Sequence, residues 1–160
     1  DSFDQIVFGS PLLATSEDET RAIAAVTSEF KNLKETDALV LMGHGTTHQI
    51  NTAYSELDRH FKSLGHSNVF IGTVEADPTI HDLVKEVTEF HPTAIYLTPF
   101  MIVAGDHAHH DMAGDSPDSW VGQFHAAGFE VCPIIKGLGE YTGIRAIFIY
   151  HIKKAISMLH

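Results

Sequence analysis

Three residues in this sequence combine side chains and spacing suited to holding one divalent ion: His44, Glu75 and His107. Each follows a short apolar run. Ala38-Leu39-Val40-Leu41-Met42 leads into Gly43-His44-Gly45, and the run from Asn68 to Val74 leads into Glu75. Ala94-Ile95-Tyr96-Leu97 leads through Thr98-Pro99 to Gly105-Asp106-His107. His44 and Glu75 are 31 positions apart, and Glu75 and His107 are 32 apart. Each interval is about one βαβ unit. If the three runs are strands of one parallel sheet, their side chains leave from the same carboxyl edge, where open α/β sheets bind ligands. Two imidazoles and one carboxylate suit a borderline cation such as Co2+, Ni2+, Fe2+ or Zn2+. The glycines beside His44 and His107 let the chain turn sharply and leave the rings uncovered.

Singly, each residue has an ordinary explanation. A histidine after a strand often only caps the next helix, Glu75 suits a helix N-terminus, and His107 lies in a polar stretch, Asp-His-Ala-His-His-Asp. The repeated spacing carries the argument. The chain holds 12 histidines, spread from His44 to His160 without a tract. His48, four residues after His44, could support it from behind. His109, His110 and Asp111 could gather hydrated metal but read better as a surface helix. His60, His66, His81, His91 and His125 fall on helices or their ends and are expected to be exposed. His151 and His160 belong to the last helix and tail.

The elements that must position these residues alternate between strand and helix patterns. Ile6-Val7-Phe8 is a strand candidate. Thr15-Ser16-Glu17-Asp18 opens an amphipathic helix to about Leu33. Further helices are expected over roughly 51–64, from the Asp77-Pro78 start to about Phe90, over 119–127 and over 141–158. A fifth strand is expected over 129–134. Strands apolar on both faces, alternating with helices, indicate a parallel sheet covered on both sides, a three-layer α/β/α arrangement. The 160 residues suit one domain, and no linker or low-complexity segment divides them.

Charge and composition exclude several classes. Lys+Arg is 10 against Asp+Glu 21, a formal net charge of −11, which disfavours nonspecific binding to nucleic acid or anionic membrane. No apolar run has the length of a membrane span. One cysteine, Cys132, rules out an internal disulfide. No basic segment leads into an apolar one near Asp1; a cytoplasmic location is the expectation, with a periplasmic one left open.

Met42-Gly43-His44-Gly45, Val74-Glu75 and the long run Pro99-Phe100-Met101-Ile102-Val103-Ala104-Gly105-Asp106-His107-Ala108 resemble the anaerobic cobalt chelatases. So do Asp111-Met112-Ala113-Gly114-Asp115, Asp118-Ser119-Trp120, Gly137-Leu138-Gly139-Glu140 and Ile144-Arg145-Ala146-Ile147-Phe148. Members of that family, relatives of ferrochelatase, insert Co2+ into sirohydrochlorin in cobalamin biosynthesis. The resemblance implies that His44 and His107 are the catalytic histidines, Glu75 their acidic partner, and all three the metal ligands. Gly43, Gly45, Met101, Val103 and Arg145 are then expected to contact the tetrapyrrole. It also implies a two-lobe fold of which residues 1–160 correspond to the C-terminal lobe, so a second lobe from the same protein or a second copy is expected. Sirohydrochlorin carries eight carboxylates, and Arg145 and Lys136 are the cations in segments near the expected edge. Two other readings compete: a metal carrier or store using the same histidines, and a metal-assisted hydrolase, which no nucleophile or zincin motif supports. A chelatase specific for Fe2+ or Ni2+ would carry the same ligands.

Overall fold

The computed structural model describes residues 5–46 and 52–159. Packing groups the chain into two compact units, one from Asn32 to Leu138, the other joining the N-terminal segment up to Lys31 with the C-terminal segment from Gly139. The larger unit is built on β1 (Ala38–Gly43), β2 (Val69–Thr73), β3 (Ile95–Pro99) and β4 (Val131–Pro133). These form a four-stranded parallel sheet in the order β2-β1-β3-β4. Leu41 of β1 stands opposite Ile71 of β2 on one side and Thr98 of β3 on the other. All six residues of β1 are buried, as a central strand covered on both faces requires.

Glycines show which helix covers which face. A Cβ on Gly43 would lie 2.2 Å from the Tyr54 ring of α2 (Thr52–Ser63), so α2 sits against the face of Leu39, Leu41 and Gly43. A Cβ on Gly72 would meet Leu83 at 2.9 Å and Trp120 at 3.0 Å. The opposite face therefore carries α3 (Ile80–Phe90) and α4 (Trp120–Ala126). There Val40, Met42, Phe70 and Leu97 form one core with Leu83, Val87, Trp120 and Phe124. The α/β class and the parallel sheet with helices on both faces are those expected.

Local boundaries depart from expectation in three places. Ile6-Val7-Phe8 forms no strand, and Ile6 and Phe8 stay exposed; three apolar residues without a pairing edge do not commit the chain to a sheet. The helix expected to start at Pro78 starts instead at Ile80, capped by Thr79 in a capping box with Asp82. The Pro78 carbonyl is already engaged, accepting from the Thr73 amide at 2.7 Å. The last strand is only three residues, and Pro133 ends it at the edge of the sheet.

The second unit pairs α1 (Ser16–Glu29) with α5 (Thr142–Ile156). Gly143 permits their close approach, since a Cβ there would stand 2.6 Å from the Ala25 Cβ. Ile144, Ile147, His151 and Ala155 of α5 are buried, whereas Ile149, Tyr150, Ile152 and Ile156 are about half exposed. His151, expected only as part of the last helix, is a buried tie. Its Nε2 lies 2.9 Å from Asp18 Oδ1 and its Nδ1 lies 3.0 Å from the Ser10 carbonyl oxygen. Among the described residues, no helix is long and apolar enough to cross a membrane.

Candidate metal centre

The sheet order sets the place of the site. From β1 the chain goes to β2 on one side, then returns to place β3 on the other. The loops leaving β1 and β3 therefore part in opposite directions, opening a crevice at the carboxyl ends of the strands. His44 leaves β1 and His107 lies at the end of the loop leaving β3, so they flank that crevice, while Glu75 leaves β2.

Backbone hydrogen bonds hold the three together. The ladder between β1 and β2 continues past both strands: Val74 N–H donates to the Gly43 carbonyl at 3.1 Å and Glu75 N–H to the His44 carbonyl at 3.0 Å. This seats Glu75 beside His44. The turn after Glu75 is anchored on Thr73, whose Oγ1 accepts from the Ala76 amide at 3.2 Å. Gly45 adopts φ +85° and is packed so closely that a Cβ would stand 2.9 Å from Thr73 and 3.0 Å from the Ala76 nitrogen. Its amide donates to the Tyr54 hydroxyl at 3.3 Å. On the other side, the Phe100 amide donates to Met42 O at 2.7 Å and the Leu138 amide to Met101 O at 2.8 Å, fixing the start of the bend after β3. The chain then enters a helical turn at Asp106 and His107, continuing as a π-helical turn over Ala108–Met112. Such turns recur at functional sites.

One potential ligand atom from each of His44, Glu75 and His107 lies within 4.8 Å of the others, the single such group of three or more among the described residues. The imidazole rings meet edge to face with centroids 4.8 Å apart. The His44 Nδ1 lies 3.1 Å from the Gly45 carbonyl oxygen and 3.6 Å from Glu75 Oε2. The His107 Nδ1 lies 2.5 Å from Asp111 Oδ2. Side-chain exposures of 46% for His44, 53% for Glu75 and 33% for His107 leave the cluster open to a ligand. Three donors with open positions would hold an ion without enclosing it.

The other residues considered from sequence divide clearly. Gly43 ends β1 under the Tyr54 ring, and Gly45 shapes the turn after His44. Met101 is half-buried against the core, and Val103 is 71% exposed on the loop that carries His107. Arg145 belongs to the other unit, where its guanidinium donates to the Gly139 carbonyl and to Thr142 Oγ1. His110 is exposed and pairs with Asp106 at 2.9 Å; His109, His81, His91 and His125 are exposed, and His60 and His66 partly so. His48 and His160 lie outside the described residues. Tyr54 was not singled out from sequence, since its spacing from Gly45 signals nothing. Asp111 was considered only as one of a metal-gathering surface group with His109 and His110, and its contact with His107 follows from its position four residues later on a helical turn.

The fold and the cluster define an α/β protein with a candidate metal centre at a topological switch point. The sequence matches the cobalt chelatase (CbiK) family over residues 1–157, and the chain belongs to that family. It is 37% identical over 156 residues to the sirohydrochlorin cobaltochelatase of Salmonella typhimurium, covering 98% of this chain and 59% of that protein. It is 34% identical over 160 residues to sirohydrochlorin cobaltochelatase CbiKC of Nitratidesulfovibrio vulgaris, covering 99% of this chain and 56% of that one. The chain thus spans a little over half the length of these relatives.

Proposed function

We propose that this chain provides the metal-holding lobe of a sirohydrochlorin cobaltochelatase, inserting Co2+ into the macrocycle with release of two pyrrole protons. The observation that carries the reading is the convergence of His44, Glu75 and His107 within 4.8 Å at the carboxyl edge of the sheet. The names of the two relatives support it.

The chemistry follows from the donor set. The ion is the substrate and must leave, so it must be held by few ligands. Two imidazoles and a carboxylate do this, the carboxylate offsetting one unit of the ion's charge. Insertion also needs acceptors for two protons, and imidazole exchanges protons near neutrality. His44 and His107 are assigned both tasks in sequence: as the ring nitrogens take the ion, each imidazole is freed to accept. The exposed Ile102 and Val103 offer an apolar surface for a flat macrocycle. Co2+ is the proposed ion on the strength of the relatives' names, since the ligand types alone would also accept Ni2+, Fe2+ and Zn2+. The working form includes a second lobe, from the remainder of a longer protein or from another copy, to complete the tetrapyrrole site and supply cations for its carboxylates.

Incubation with sirohydrochlorin and Co2+, followed by absorbance, tests the reading. Multiple turnovers above the uncatalysed rate are expected. Stoichiometric retention of Co2+ with slowed insertion would overturn it in favour of a metal carrier.

A further inference from the structure

We infer that Asp111 is a positioning residue that fixes His107 in the tautomer protonated at Nδ1 and so presents Nε2 as the free electron pair of the site; this rests on the chelatase reading only for its consequence, not for the tautomer. The His107 Nδ1 lies 2.5 Å from Asp111 Oδ2. A carboxylate only accepts, so the nitrogen facing it carries the proton. In a neutral imidazole the other nitrogen is then unprotonated, and it alone can take an ion or a pyrrole proton. Hydrogen bonding to a carboxylate also raises the basicity of the far nitrogen and holds the ring plane.

The backbone is built to make this contact. His107 has helical dihedrals and lies in the turn, begun at Asp106, that becomes π-helical over Ala108–Met112, which brings residues 107 and 111 onto one face. The turn closes at Gly114, whose amide donates to the His110 carbonyl at 3.2 Å. A Cβ at Gly114 would stand 2.4 Å from that carbonyl oxygen. The two histidines of the cluster are held alike but by different means. The His44 Nδ1 faces the neutral Gly45 carbonyl at 3.1 Å, which also selects the Nδ1–H form. His107 makes the closer contact, 2.5 Å to a carboxylate oxygen, whereas the Glu75 carboxylate stands 3.6 Å from the His44 Nδ1. The neighbouring pair Asp106–His110 has the same spacing and a 2.9 Å contact, yet its side chains are 90% and 75% exposed and outside the three-residue cluster. It serves as an internal control.

Nitrogen-15 spectra of histidine-labelled protein, recorded where imidazole is neutral, read the tautomer directly. Wild type should show His107 protonated at Nδ1. Asp111→Ala should move it towards the Nε2–H form that free imidazole side chains prefer, and Asp111→Asn, which keeps a neutral acceptor, should move it less. Co2+ affinity by calorimetry should then fall about 10–100-fold in Asp111→Ala, less in Asp111→Asn, and remain unchanged in Asp106→Ala. A His107 already protonated at Nε2 in wild type, or a tautomer indifferent to Asp111→Ala, would overturn the inference. Failure of wild type to bind Co2+ with the tautomer shift intact would instead count against the chelatase reading.

Discussion

The His44 and His107 rings are half-exposed and sit on turns rather than in the core, so removing either should cost chemistry and not fold. His44→Ala and His107→Ala are each expected to abolish insertion while leaving the circular dichroism and melting temperature near those of wild type. A variant that unfolds instead would mean the ring is structural. Gly45 should behave in the opposite way. With φ +85° and no room for a Cβ between Thr73 and Ala76, Gly45→Ala should destabilise by about 1–3 kcal/mol and misplace His44, lowering both melting temperature and Co2+ affinity. The meeting of His44, Glu75 and His107 was legible in sequence because each loop starts where an apolar run stops, and a parallel sheet brings such points to one edge. Asp111 was not. Its spacing from His107 is the spacing of Asp106 from His110, and nothing in the sequence says which pair faces the cluster.

Among the elements, β1 was the most legible because five consecutive apolar residues leave a strand no polar face. The start of α3 was not, because Asp77-Pro78 and Thr79 with Asp82 are both sound helix openings, and the loop's hydrogen bond to Thr73 decides between them. His151 lies on the last helix as expected, but its burial was not legible: its partner Asp18 lies 133 positions away, beyond any local pattern. That pair makes α1 and α5 acid-sensitive. Burial disfavours the charge on Asp18, yet hydrogen bonds from His151 and Thr15, with the charges of His151 and Arg21, hold its carboxyl below the usual range. The unfolded chain then binds a proton at Asp18 more readily than the folded one, so stability rises with pH through this window. The contribution is complete above the unfolded carboxylate value of about 3.9 and is lost as pH falls through the lowered value. Asp18→Asn should flatten the acid limb of a stability–pH curve. His151→Ala, which strands a buried carboxylate, should cost about 3–5 kcal/mol. Hydrogen exchange in α1 and α5 checks both, and an acid limb unchanged in Asp18→Asn would refute the assignment.

At the scale of the molecule, the last helix is apolar on more than one side. Ile144, Ile147, His151 and Ala155 form the buried stripe, while Ile149, Ile152 and Ile156 follow i, i+3, i+7 spacing and are 52%, 54% and 51% exposed. A helix on a monomer's surface needs one apolar arc of little more than 100°, so this second stripe is surplus to α5's packing within its unit. Covering an isoleucine fully is worth about 1.5–3 kcal/mol relative to exposure, and three in a row make an adhesive strip. The net charge of −11 opposes association of two copies, but its reach is only about 8–10 Å at physiological salt, so the apolar contact should win as ionic strength rises. The 160-residue chain is therefore expected to sediment above 17.6 kDa, more so in salt, unless the stripe is covered by the further polypeptide that its longer relatives contain. Replacing Ile149 and Ile152 with lysine should return it to a monomer without unfolding it. A wild-type chain that stays monomeric at high salt and turns over sirohydrochlorin at full rate would refute both the adhesive stripe and the need for a second lobe.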